Sequence, residues 1–190
     1  MSRRRRRRGG GWWWKALIVV LVAACAWAVL TSNWMARFRY PQKYMEYVEP
    51  YAREYGLEEN FVLAVIFAES SFDPEAVSHA GARGLMQLMP DTGAWLAGKL
   101  DMENFDADDL FDPATNIRLG CYYLSYLEER LEDRELVLAA YNAGMGNVRK
   151  WLQDERYSDG VQLLSIPIKE TENYVEKTLR TYEKYEELYP

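Results

Sequence analysis

The sequence predicts an all-α fold, one compact multi-helix domain following an N-terminal apolar helix. Three observations carry this. No stretch of useful length alternates apolar and polar residues, as a half-buried strand would. Asp112-Pro113 and Asp73-Pro74 have the form of helix starts, with Asp capping free N–H groups and Pro at the first helical position. Ile117, Gly120, Cys121, Leu124, Leu127 and Leu131 recur at helical spacing.

The first element is the N-terminal segment. Arginines at 3–8 precede Gly9-Gly10-Gly11, then Trp12-Trp13-Trp14-Lys15, then an uninterrupted apolar run over 16–30. With Thr31-Ser32-Asn33-Trp34-Met35 the run approaches the ~20 residues that cross a ~30 Å hydrocarbon core. Tryptophan at both ends suits the two interfaces, and Lys15 can reach the headgroups. The expected organisation is a cytoplasmic Arg-rich segment over 1–11, a transmembrane anchor over 12–34 and an external domain over 41–190. A cleaved signal is the competitor, because Val22-Ala23-Ala24-Cys25 resembles a lipoprotein box. The apolar residues 26–30 after Cys25 favour the uncleaved anchor.

Helices follow in order from Pro41. Residues 43–55 form the first, which Pro50 should bend or divide, and Gly56 stops it. Residues 61–68 are apolar on every face, so their helix should be buried centrally. Asp73-Pro74 starts a helix, and Asp91 after Pro90 starts another. The Asp112 helix runs to about Leu131. Residues 135–141 are helical to Gly144, 147–152 form a short helix, and 160–167 a loop. The last helix, 168–189, should turn Val175, Leu179, Tyr182 and Glu186 to one face, with Tyr174, Thr178, Tyr185 and Tyr189 beside it. About seven helices result.

Charge and composition exclude several classes. Lys and Arg total 23, Asp and Glu 29, for a formal net charge of −6. Residues 1–40 hold nine basic side chains and no acidic one, so the remainder carries −15. That field repels nucleic acid. Two Cys and one His provide neither a disulfide scaffold nor a zinc cage. About 150 residues suffice for one core that buries roughly 70% of the chain's surface.

Glu69 is the candidate for chemistry. It follows eight apolar residues on a helix that should be buried all round. Lost hydration raises a carboxyl's pKa and prepares it as a general acid. On position alone, a helix-end glutamate reaching solvent or pairing with arginine is the commoner reading. The segment 81–90, Gly-Ala-Arg-Gly-Leu-Met-Gln-Leu-Met-Pro, holds one amide between small and apolar residues. Ala140-Tyr141-Asn142-Ala143-Gly144 ends a helix with a Tyr-Asn pair. Together they suit a neutral, hydroxyl- and amide-rich ligand such as a sugar.

These motifs, with Glu69-Ser70, Ser78-His79-Ala80, Ile166-Pro167, Glu170-Thr171 and Tyr174-Val175, resemble in order those of the SLT-type lytic transglycosylases. That family is lysozyme-like, is related to goose-type lysozyme and cleaves bacterial peptidoglycan. Asp112-Pro113, Asn116-Ile117 and the stretch 120–124 match its second half. The resemblance implies Glu69 as the single catalytic acid and base. It implies substrate binding by Ser70, Ser78, Met86, Gln87, Met89, Tyr141, Asn142, Glu170 and Tyr174. Its partner is the peptidoglycan glycan strand, with the membrane reached through the N-terminal helix, and neither metal nor cofactor is required. Met145 and His79 stand where many relatives have Pro. The implied reaction is non-hydrolytic: Glu69 protonates the oxygen between MurNAc and GlcNAc, then as carboxylate deprotonates the sugar's C6 hydroxyl, leaving a 1,6-anhydro-MurNAc end. A hydrolytic muramidase is the nearest alternative, and it needs a second carboxylate facing Glu69. A non-catalytic wall-binding module is the other. His79 reads as a solvent-facing loop residue and Cys121 as a small buried apolar one.

Overall fold

The computed structural model describes residues 12–30, 33–131 and 133–190. They belong to two compact units, Met1–Pro41 and Gln42–Pro190.

In the first unit, α1 (Trp12–Leu30) buries no residue and has a mean hydropathy of 2.1. Its 19 residues span about 28 Å at the α-helical rise, long enough to cross a hydrocarbon core. The arginines at 3–8 and residues 31–32 lie outside the described residues. Trp34 and Met35, the end of the span expected over 12–34, belong to the short helix α2 (Asn33–Arg39).

Among its described residues the second unit has seven α-helices: α3 (Met45–Tyr55), α4 (Glu59–Ser70), α5 (Pro90–Lys99), α6 (Pro113–Glu128), α7 (Arg134–Ala143), α8 (Met145–Leu152) and α9 (Lys169–Leu188). Among the described residues there is no strand beyond isolated bridges. At its centre is α4, where Phe61, Val62, Leu63, Ala64, Val65 and Ile66 are wholly buried. Each of the larger of these side chains contributes about 1.5–3 kcal/mol by leaving water. The most extensive helix packing is between α4 and α9; α7 also lies on α9, and α6 on α3.

Several elements depart from expectation. Pro50 does not divide α3, because it lies on the exposed side, where the carbonyl it leaves unbonded reaches water. Gly56 (φ 72°) then ends α3, and the Leu57 N–H closes on the Ala52 carbonyl at 2.8 Å. Asp73-Pro74 starts no helix. Ser71 (φ 54°) and Phe72 (φ 67°) turn the chain left-handed after α4, and the Asp73 carboxylate accepts the Glu75 N–H at 3.0 Å in a turn. The same side chain that caps helices also makes such turns. A 3-10 helix, Ala107–Phe111, was not expected; Asp106 and Asp109 close a capping box over it. On α9 the buried stripe is Thr171, Tyr174, Val175, Thr178, Thr181, Tyr185 and Leu188, whereas Leu179 and Tyr182 are half-buried and Glu186 is exposed. The threonines can be buried because Thr178 and Thr181 donate to the Tyr174 and Lys177 carbonyls, each at 2.8 Å.

Candidate active site

A groove of about 400 Å³ opens in the second unit, and Glu69 lines it together with Ser78, Gln87, Met89, Tyr141, Asn142 and Glu170. Seven of the ten residues expected at the site therefore meet around one space. Glu69 sits in the last turn of α4, just beyond the fully buried run, and its side chain is half-buried. Burial pushes its carboxyl up to about 7, against the Tyr174 hydroxyl and the Lys177 ammonium, which pull it down.

One wall of the groove is the loop 71–89. Phe72, Leu85, Met86 and Leu88 anchor it in the core, and hydrogen bonds from its surroundings fix its backbone. The Ser70 hydroxyl donates to the Leu85 carbonyl at 2.8 Å, and the Tyr141 hydroxyl to the Met86 carbonyl at 2.8 Å. Asn116, wholly buried on α6, accepts the Met86 N–H at 2.7 Å. Its amide donates to the Leu110 carbonyl at 2.7 Å and the Arg83 carbonyl at 3.0 Å. Gly84 (φ 76°) lies so close beneath this amide that a Cβ would stand 2.1 Å from the Leu110 oxygen and 2.4 Å from Asn116 Nδ2. Gly120 gives Met86 similar room: a Cβ there would meet its sulfur at 2.2 Å.

Three expected binding residues therefore stand apart from the groove surface. Met86 is wholly buried against Gly120. Ser70 is turned onto the loop backbone. Tyr174 is buried beside the Glu69 carboxyl, and its hydroxyl makes no hydrogen bond of full geometry, although its approach still lowers the Glu69 pKa. Ser70 and Met86 hold the loop, and Tyr174 lies against the Glu69 carboxyl. Gln87 (φ 48°) lines the groove, but its amide N–H groups are committed to the Gly84 and Ala76 carbonyls at 2.8 and 3.0 Å, leaving its oxygen as the group for a ligand. On Asn142 the reverse holds: its oxygen accepts from Thr171 at 2.7 Å, so its amide N–H groups are the ones to offer. Burial first, then the Glu69 charge, raises the Tyr141 and Tyr174 hydroxyls well above the ordinary range, so both stay neutral donors.

Sequence reasoning missed Thr92, in the first turn of α5, and Tyr123, on α6; both line the groove. Tyr123 packs on Tyr141 with ring centroids 5.3 Å apart. It also missed Lys177, whose ammonium donates to the Ala68 carbonyl at 2.8 Å, next to Glu69. Tyr123 lies in the stretch 120–124 that matched the motif set, so its position was signalled without a role. Nothing in the sequence ties Lys177 to a residue so far away in the chain. His79 is exposed and Cys121 wholly buried, as expected. Met145 is the first residue of α8, a position where Pro fits equally well. Among the described residues no cluster of His, Cys, Asp and Glu could hold a metal ion.

Comparison with known proteins follows the same lines. The family model for the transglycosylase SLT domain matches residues 46–164. The chain is 34% identical over 151 residues to the soluble lytic murein transglycosylase of Salmonella typhimurium, covering 77% of this chain and 23% of that protein. It is 33% identical over 167 residues to membrane-bound lytic murein transglycosylase C of Haemophilus ducreyi, covering 76% of this chain and 46% of the relative. An inactive mutant of the lytic transglycosylase Slt of Pseudomonas aeruginosa superposes with a TM-score of 0.69 at 33% identity, over 80% of this chain and 25% of that one. The chain thus spans less than half the length of these relatives. With the family model over most of the helical unit, and with the motif residues gathered at one groove, this chain belongs to the transglycosylase SLT-domain family.

Proposed function

We propose that this chain is a membrane-anchored lytic transglycosylase that cleaves the β-1,4 bond between MurNAc and GlcNAc in peptidoglycan without water. The observation that carries the reading is the Glu69 carboxyl, lining the groove and raised by burial to about 7. Near neutral pH a large fraction is protonated, so it can give its proton to the leaving oxygen. The carboxylate that results sits near the Lys177 ammonium, which stabilises the charge. It then takes the proton of the C6 hydroxyl as that oxygen closes on C1. The acetamido group of MurNAc stabilises charge at C1 in the interval. The proton returns to Glu69, no water enters the product, and the new end is 1,6-anhydro-MurNAc. Asn142, through its amide, and Gln87, through its oxygen, would orient the sugars.

A hydrolytic muramidase is the second reading. Glu170 lines the same groove and could serve as its second carboxylate. Against this, Glu170 is exposed and lacks the buried setting that prepares Glu69. A binding-only module would have no use for a carboxyl held near 7 at a groove. The names of the relatives, soluble and membrane-bound lytic murein transglycosylases, agree with the first reading.

The anchor belongs to the same proposal. With α1 spanning the membrane and the arginines at 3–8 on the cytoplasmic side, the SLT unit faces outward. Processing at Cys25 to a lipoprotein is the alternative, and the intact mass of the membrane-extracted protein separates the two. The test of activity is direct. Detergent-solubilised full-length protein should release anhydro-muropeptides from peptidoglycan, and Glu69→Gln should reduce release at least about a hundredfold. Equal release by Glu69→Gln would remove Glu69 from the chemistry.

A further inference from the structure

The ring contacts around Tyr123 do not end at the groove. Trp95 lies one helical turn after Thr92 on α5, and Tyr126 one turn after Tyr123 on α6, so each continues a groove-lining face outward. Trp95 meets Tyr123 at 6.2 Å and Tyr126 at 5.1 Å, nearly perpendicular to both. Tyr123 in turn contacts Tyr141. Arg130 lies 3.6 Å over the Tyr126 ring and donates to the Tyr126 carbonyl, so it covers that tyrosine. Trp95 is the open member of this chain of rings, with 39% of its surface exposed. It is a large aromatic held edge-on by two others, hence rigid, and contiguous with a groove whose lining on this side is neutral. The C–H faces of a pyranose ring stack on such a surface without loss of hydrogen bonding to water.

We propose that Trp95, buttressed by Tyr126, is a distal subsite for a sugar ring of the glycan strand, beyond the sugars held at Glu69. This rests on the proposed function for the identity of the ligand. It makes long strands better ligands than short ones. The experiment uses full-length protein in detergent carrying Glu69→Gln, so that strands are not consumed, and peptide-free GlcNAc–MurNAc strands of increasing length, with binding read by calorimetry. Trp95→Ala should weaken binding of long strands about tenfold, as expected for one aromatic contact. The long-to-short preference should collapse toward unity, and Trp95→Phe should restore most of it. Absence of a length preference in the parent protein would overturn the subsite, as would equal loss at all lengths. A loss seen only on strands bearing stem peptides would overturn the sugar assignment in favour of peptide. The outcome is independent of the reaction: if the Glu69 protein released no product at all, the proposed function would fail while length-dependent binding still reported on Trp95.

Discussion

At Glu69, one short stretch of helix does two opposed things. The six wholly buried residues before it build the core, and the same burial holds its carboxyl near 7. An unfolded-state glutamate titrates near 4.5, so folding binds a proton between those values. Below pH 4.5 the buried group costs nothing extra; as pH rises through 7, the folded state is left holding a desolvated charge. Glu69→Gln removes that penalty. The variant should match the parent protein in thermal stability near pH 4.5 and exceed it at pH 8, by up to about 3 kcal/mol. Thermal melts at the two pH values check this, and an equal offset at both would contradict it. Lys177 supplies the opposite sign. Its positive charge lowers the Glu69 pKa, so Lys177→Met should raise it. Activity that begins with protonated Glu69 falls as pH rises past that pKa, and the alkaline limb of kcat/KM should therefore move upward in the variant. Glu69 stood out in the sequence as a carboxylate directly after eight apolar residues, but only the motifs at 81–90 and 140–144 turned it from a helix-end glutamate into a candidate. Lys177 did not stand out, since its role exists only once α9 packs on α4.

The loop 71–89 shows how an element without regular structure can be as fixed as a helix. Its shape depends on hydrogen bonds from Ser70, Asn116 and Tyr141, on three different helices. Asn116→Ala leaves the Met86 N–H and the Leu110 and Arg83 carbonyls without that partner, which costs at least about 3 kcal/mol. Thermal melting should fall by roughly 6–12 °C, with reduced glycan binding because the Gln87 and Met89 wall shifts. A variant that kept its melting temperature would show the loop to be held by other means. Gly84→Ala should be more damaging, since its Cβ cannot coexist with the Leu110 carbonyl. The sequence made the helices legible through their apolar spacing and caps. It did not distinguish the Asp73 turn from a helix cap, because the first hydrogen bonds of the two are alike. It also assigned Met86 and Ser70 to the ligand, because a motif marks residues that matter together without saying which way each side chain turns. On α9 the expected face was centred one column away, on Val175, Leu179, Tyr182 and Glu186, because Thr171 and Thr181 read as polar until their hydroxyls are seen to be satisfied by Asn142 and the Lys177 carbonyl.

At the scale of the whole chain, the net charge of −6 averages a basic segment and an acidic one. The first, with α1, has the length and apolarity of a membrane span; the second carries the groove. Alkaline extraction of membranes should leave the full chain in the pellet, and deletion of residues 12–30 should move it to the supernatant. Release of the full chain by alkali would contradict the anchor. The central claim concerns water. Digestion of peptidoglycan by the full-length protein in heavy-oxygen water, followed by mass spectrometry of the released muropeptides, follows the oxygen directly. A transglycosylase with Glu69 as sole acid and base yields anhydro-MurNAc ends that carry no label. Reducing MurNAc ends, heavier by one water and labelled at C1, would contradict the account and place a second carboxylate, Glu170 first, in the reaction.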